Sequence, residues 1–105
     1  MAEKYSEPTL VMNIERKWFA AILAQPARKT VEYRKLSGYW LGRLEKVGDP
    51  PFRLRLLNGM HPPVPEATIE VTKVVKNRRT GELELHFGKI IEVKHWDRKK
   101  ETPTG

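Results

Sequence analysis

Alternating apolar and polar residues predict β-strands in several parts of this chain. Phe52, Leu54 and Leu56 alternate with Arg53 and Arg55. Successive side chains of a strand point to opposite faces, so the three apolar residues would face a core and the two arginines would face solvent. Residues 83–87 repeat this two-residue period, which predicts a second half-buried strand.

Other strands are predicted from composition. The run Thr9–Asn13 is mostly apolar and predicts a short buried strand. Residues 67–75 are β-rich, but their pattern slips by one near Lys73, which indicates a bulge. A last strand is predicted over residues 89–96.

A helical period follows the first strand. Ile14, Trp18 and Ile22 fall on one face of a helix, so we expect all three in the core. Asn13 is a favourable N-cap residue, and Pro26 ends the helix at or before the residue that precedes it.

The middle of the chain is rich in turn residues. After the turn pair at residues 37–38, Tyr39 and Trp40 lie in a stretch bounded by glycines, and residues 46–51 predict a loop. Residues 60–65 contain three prolines and predict a stiff loop, with residues 77–81 forming a hairpin turn.

The predicted fold class is α+β. Short strands with many edges are best satisfied by closing into a small β-barrel, here of about five to six mostly antiparallel strands with the N-terminal helix packed on it. A chain of 105 residues is of single-domain size. We expect an N-terminal arm over residues 1–8, one domain over 9–96 and a flexible basic tail over 97–105.

The charge distribution narrows the class of partner. The net charge is +7, and most of the excess lies between Arg16 and Lys46, where cations greatly outnumber acids. A basic field favours polyanions, with nucleic acid first and anionic membrane second. Basic residues also aid solubility without binding anything, and this alternative stays open.

Several function classes are disfavoured. The chain has no cysteine, which excludes disulfides, thiolate metal sites and a cysteine nucleophile, and fits a cytoplasmic location. His61, His86 and His95 lack metal-ligand spacing, and no glycine-rich phosphate loop is present, so we expect no metal and no cofactor. No apolar run reaches the ~20 residues of a membrane span, and the N-terminus lacks the order of a signal peptide.

The segment 28–34 is the strongest candidate site. On a strand, Thr30, Glu32 and Arg34 share one face, and Lys29 lies at its entry. Arg34 could hold Glu32 as a carboxylate that accepts from the exocyclic amine of a base, while Lys29 suits a phosphate. The alternative is a solvated surface ion pair worth ~0–1 kcal/mol.

Further candidates are aromatic and basic residues. Tyr39 and Trp40 could stack on bases, and one of them would point outward if this stretch is a strand. Arg53 and Arg55 could contact adjacent phosphates, but equally could be a solvated strand face.

These residues carry a family resemblance. An amphipathic helix followed by Lys29, Glu32 and Arg34 resembles the ASCH-domain signature G-x-K-x-x-E-x-R, with Ala27 in place of the glycine. The resemblance implies a PUA-like β-barrel that acts on RNA, with the motif lining a cleft between helix and barrel. Some short members are amidohydrolases of acetylated cytidine that carry a threonine three residues after the motif lysine. Glu32 occupies that position here, so this activity does not carry over.

Three functions are therefore expected in order. The first is binding of RNA or a modified nucleotide through Lys29, Thr30, Glu32 and Arg34. The second is a hydrolase of acylated cytidine or RNA in the same cleft, in which Lys29 would activate and Glu32 would be the general base. The third is a protein-interaction module that uses the loop Met60–Pro65.

Overall fold

The computed structural model describes residues 8–104, and the predicted arm over residues 1–8 lies outside this range except for Pro8. Its main sheet is built from five strands. These are β1 (Thr9–Asn13), β2 (Val31–Lys35), β3 (Phe52–Leu57), β4 (Glu66–Asn77) and β5 (Glu82–Lys94). Two helices, α1 (Arg16–Leu23) and α2 (Gly38–Val47), and a hairpin of β6 (Trp96–Asp97) and β7 (Thr102–Pro103) complete the fold.

The strand order is β1-β3-β4-β5-β2. Three neighbouring pairs are antiparallel, and β1 pairs with β3 in parallel. The α+β class is confirmed, and the sheet curls into a half-barrel. The predicted closed barrel differs in one respect, because β1 and β2 are edge strands that do not pair with each other.

The predicted alternation holds in β3 and β5. Phe52, Leu54 and Leu56 are buried, as are Leu83 and Leu85. They form one core with the inner residues of β1 and β4 and with one face of α1. The bulge predicted near residue 73 is confirmed by register shifts in the β4–β5 pairing between residues 68 and 73.

Helix α1 differs from the prediction in where it begins and in which residues form its buried face. It begins after Glu15, and the side chain of Asn13 donates to the Gly59 carbonyl instead of capping the helix. Phe19, Ile22 and Leu23 are buried on this helix, whereas Trp18 is 42% exposed. The prediction of a core position for Trp18 is therefore wrong.

Residues 38–47 form helix α2 where the sequence suggested a glycine-bounded stretch with strand-like alternation. The Ser37 hydroxyl accepts a hydrogen bond from the Trp40 amide and caps the helix, and the Gly48 amide donates to the Leu44 carbonyl at its end. Gly48 has a φ of 91°, a left-handed conformation that glycine adopts without strain.

The segment predicted as a flexible tail carries the β6–β7 hairpin. Trp96 is buried and packs edge-on against Phe19, with ring centroids 5.1 Å apart. Arg28 and Glu101 form a two-bond ion pair at 2.9 and 3.1 Å, and the Arg98 Nε donates to the Leu23 carbonyl at 3.0 Å. The hairpin is thus docked along α1.

Candidate functional site

A buried carboxylate lies at the centre of the segment singled out by sequence. Glu32 on β2 is only 6% exposed. Its Oε2 lies 3.0 Å from the Arg34 Nη2, and its Oε1 lies 3.3 Å from the Lys29 Nζ. Oε1 also accepts from the Tyr33 amide at 3.2 Å. Three donors therefore hold this carboxylate, which makes it a fixed group.

Local backbone pairing explains this arrangement. The Thr30 carbonyl accepts from the Phe87 amide, so residues 30, 32 and 34 form hydrogen-bonded pairs with β5. The amide of Tyr33 then points to the open edge of β2, where it meets the Glu32 carboxylate.

Arg34 links this strand to the far edge of the sheet. Its Nη2 also donates to the Asn13 carbonyl on β1 at 3.0 Å and lies 3.4 Å from the Met12 sulfur. The guanidinium carbon lies 5.5 Å from the centre of the Trp40 ring. The arginine is therefore held on several sides, and so is the carboxylate that it binds.

The carboxylate opens into a cleft of about 810 Å³ between α1, β2 and the loop after β3. Its lining residues are Asn13, Ile14, Glu15, Trp18, Lys29, Glu32, Tyr33, Arg34, Asn58 and Gly59. Asn58 ties the loop to α1, since its side chain donates to the Ile14 carbonyl and accepts from the Arg16 guanidinium.

Two exposed aromatic rings line this cleft. Trp18 and Tyr33, which is 48% exposed, face the ammonium of Lys29, which lies 5.2 Å from each ring centre. The sequence pattern predicted Trp18 in the core and Tyr33 on the strand face opposite Glu32. At an open strand edge, however, both faces of β2 border the cleft.

The structure brings together only part of the predicted site. Lys29, Glu32 and Arg34 meet in the cleft, whereas Thr30 is exposed and does not line it. Tyr39 and Trp40 lie on α2 outside the cleft lining, with their rings edge-on at 5.0 Å. The alternation considered for the case of a strand does not apply, because this segment is helical.

Arg53 and Arg55 also lie away from the cleft, on β3. Arg55 forms a two-bond pair with Glu66 at 2.9 and 3.0 Å, and this pairing lowers the pKa of the Glu66 carboxyl. Arg53 lies opposite Glu70 on the neighbouring strand. The strand-face alternative fits both arginines better than a shared phosphate site.

Neither a cluster of metal-binding side chains nor a membrane-spanning helix is found within residues 8–104. In this range, no cluster of three or more His, Cys, Asp or Glu side chains could hold a metal ion. Neither helix of the same range is long and apolar enough to cross a bilayer. Comparison of the sequence with protein-family models and with curated proteins finds no match.

Proposed function

We propose that this chain is an ASCH-type, PUA-like module whose cleft binds a nucleobase of single-stranded RNA or of a free nucleotide. One observation carries the proposal: the buried Glu32 carboxylate, held by Lys29 and Arg34, opens between the exposed rings of Trp18 and Tyr33. A fixed acceptor beside two aromatic platforms is suited to a flat ligand with a hydrogen-bond donor at its edge.

The magnitudes allow a base to compete with the cation that now lies between the rings. The Lys29 side chain is only 16% exposed, and a desolvated cation–π contact contributes ~2 kcal/mol, which lies within the ~1–3 kcal/mol of a base stacked on an aromatic side chain. We expect a base to displace the Lys29 ammonium from one ring face, while the ammonium keeps its contact with Glu32.

The carboxylate retains capacity for one ligand donor. An ionised carboxylate has about four acceptor positions. Lys29, Arg34 and the Tyr33 amide occupy three of those of Glu32. The remaining position suits an exocyclic amine such as N4 of cytosine.

The cleft itself is not a phosphate site. Lys29 and Arg34 are both paired with Glu32, and the lining also contains Glu15. The lining charges therefore balance, and a phosphate gains little Coulomb attraction there. In this proposal Lys29 does not make the phosphate contact that the sequence predicted. It holds the Glu32 carboxylate and fills the space between the Trp18 and Tyr33 rings.

The family assignment is supported by motif and placement. Lys29, Glu32 and Arg34 keep the signature spacing, the motif strand follows an amphipathic helix, and the cleft lies between that helix and the curled sheet. The hydrolase alternative has less support, because its two expected groups, Lys29 and Glu32, are paired with each other at 3.3 Å and Glu32 is also held by Arg34. Product analysis after incubation with acetylcytidine and with RNA tests it directly.

Titration of a labelled single-stranded RNA of mixed sequence tests the proposal. We expect Trp18→Ala and Tyr33→Ala each to weaken binding by about 5- to 100-fold, because each removes one stacking contact of ~1–3 kcal/mol. Glu32→Gln should weaken it as well, since the amide cannot accept in the same charged geometry.

Tyr39→Ala is the matched comparison. This tyrosine is 63% exposed and aromatic, but lies on α2 outside the cleft lining. The RNA affinity of the Tyr39→Ala variant should equal that of the parent. Equal affinity of the parent and the Trp18 and Tyr33 variants, or a loss confined to Tyr39→Ala, would refute the assignment of the cleft.

A further inference from the structure

The outer surface of α1 separates the cleft from the C-terminal hairpin. At 3.6 residues per turn, successive side chains are about 100° apart around the helix. Trp18 faces the cleft on one side, and Phe19 contacts Trp96 of the hairpin on the other, while Arg16 contacts both Asn58 of the cleft and the Trp96 ring. Periodicity then places Lys17 and Ala21 on the outward face between the two, whereas Ala20 is partly buried against the core.

The hairpin turn carries exposed cations and is anchored at the C-terminal end of α1. Lys99 and Lys100 are exposed, and their backbone amides, not their ammonium groups, bind the Asp97 carboxylate at 2.9 and 3.0 Å. Arg98 is fixed at the far end of α1 through the Leu23 carbonyl. The ammonium groups of the turn are therefore available to an anion.

The carboxylates of this region are already engaged. Glu101 is paired with Arg28, and Asp97 accepts from two backbone amides, so neither needs a lysine partner. Cations outnumber carboxylates on this surface, in contrast to the balanced cleft. We call it the basic crest; its residues are Arg16, Lys17, Arg98, Lys99 and Lys100.

We propose that the basic crest binds the phosphodiester backbone of a single-stranded RNA whose base occupies the cleft. This inference rests on the proposed function and adds the path of the strand. Lys17 is the link between the two sites, because its ammonium lies 4.7 Å from the Trp18 ring centre. A base that stacks on Trp18 brings its own phosphate to this lysine.

The dimensions of the helix make the crest specific for a polymer. A strand that passes from Trp18 to the hairpin turn crosses about one helix diameter, ~10–12 Å with side chains, and also advances along the axis to Leu23 at ~1.5 Å per residue. The small side chain of Ala21 adds little height to the outward face, so a backbone can lie close to the helix there. A nucleoside in the cleft does not reach the hairpin, whereas the flanking phosphates of an oligonucleotide do.

The test compares a labelled single-stranded RNA with free cytidine, which has no phosphate. In the double variant Lys99→Gln/Lys100→Gln, the backbone amides that bind Asp97 remain. We expect RNA affinity to fall about 3- to 10-fold at low salt. The slope of log affinity against log salt should decrease by about 1.4, or ~0.7 for each phosphate that is no longer neutralised. Cytidine affinity should equal that of the parent.

The matched control is Lys73→Gln/Lys89→Gln, which removes the same charge from exposed positions on β4 and β5. Its salt slope should stay near that of the parent. If both double variants reduce RNA affinity and slope equally, the effect is one of net charge and the crest proposal is overturned.

The outcomes also separate the two proposals. Loss of cytidine and RNA binding in Trp18→Ala, with an unchanged salt slope in Lys99→Gln/Lys100→Gln, supports the cleft and overturns the crest. No binding of cytidine or RNA by the parent overturns both. Binding of the parent to phosphatidylserine vesicles but not to RNA overturns the RNA path and assigns the crest to a membrane surface.

Discussion

At the scale of single residues, the most unusual group is the Glu32 carboxylate. It is a buried carboxylate, and it pairs with two cations of its own segment, Lys29 just before β2 and Arg34 within β2. Burial of a charge is tolerated only where partners replace its hydration. Removal of the charge therefore affects stability as well as binding.

We predict that Glu32→Gln lowers the free energy of unfolding by about 1–3 kcal/mol, because Lys29 and Arg34 lose their shared anion while remaining largely buried. Equilibrium unfolding in urea measures this. The control is Glu92→Gln on the exposed part of β5, whose 3.9 Å pair with Lys94 is half-exposed on both sides. That control should change stability by less than ~0.5 kcal/mol, and equal losses in both variants would contradict the prediction.

The sequence predicted the charged part of the site better than its aromatic part. Spacing in a strand was enough to bring Glu32 and Arg34 to one face, because the two-residue period is a property of the backbone. The role of Trp18 depended on which face of helix α1 packs against the sheet. Phe19 takes the core position, and this turns Trp18 toward the cleft.

At the scale of elements, strands were predictable and α2 was not. The β1 range Thr9–Asn13 agrees with the prediction because a short apolar run between polar residues has few alternatives. In α2, Gly38 and Gly42 are residues typical of turns, so the sequence did not indicate a helix there. Ser37 at the N-cap, followed by apolar residues at positions 40, 41, 44 and 47, was the helical signal available.

The β6–β7 hairpin was missed for a different reason. Its local sequence is almost entirely polar, and its order depends on distant partners: Phe19 beneath Trp96, and Arg28 beside Glu101. Tertiary contacts of this kind leave no periodic pattern in the segment itself.

We predict that acidification loosens the hairpin. Two backbone amides, of Lys100 and Lys99, lower the pKa of Asp97, and hydrogen bonds from Arg28 lower the pKa of Glu101. A carboxyl with a lowered pKa in the folded state stabilises that state above its ordinary pKa. This contribution is lost as the pH falls through the lowered value.

The indole N–H resonance of Trp96 followed by NMR during an acid titration measures this change. The chemical shift of this resonance should be constant from neutral pH down to the ordinary pKa range of carboxyl groups. At lower pH, it should move toward the value of an exposed indole. In Asp97→Asn/Glu101→Gln the same resonance should be less dependent on pH. A profile identical to the parent would show that these carboxylates do not hold the hairpin.

At the scale of the whole molecule, two arginines bind the open edge of β1, one from β2 and one from α2. The Ile14 amide donates to the Leu57 carbonyl, so the backbone groups of even-numbered residues in β1 face β3 and those of odd-numbered residues face outward. Arg43 of α2 donates to the outward carbonyl of Val11 at 2.9 Å, and Arg34 donates to that of Asn13 at 3.0 Å. Side chains thus complete the hydrogen bonding that a closing strand pair would supply.

We predict that Arg43→Gln lowers the free energy of unfolding by about 1–3 kcal/mol, because the Val11 carbonyl loses its charged donor. Faster hydrogen exchange of the β1 amides should accompany this loss. Lys46→Gln, an exposed change in the same helix, is the control and should leave both measurements near the parent values. Unchanged exchange in Arg43→Gln would mean that α2 does not secure this edge.

The capping of Val11 and Asn13 also affects how copies of the protein meet. An uncovered strand edge is a template on which another chain can add its own strand, the first step of amyloid-like assembly. Along β1, two guanidinium groups already bind the Val11 and Asn13 carbonyls, which an incoming strand would otherwise use. The two side chains that attach β1 to β2 and α2 therefore also protect this edge of the half-barrel from aggregation.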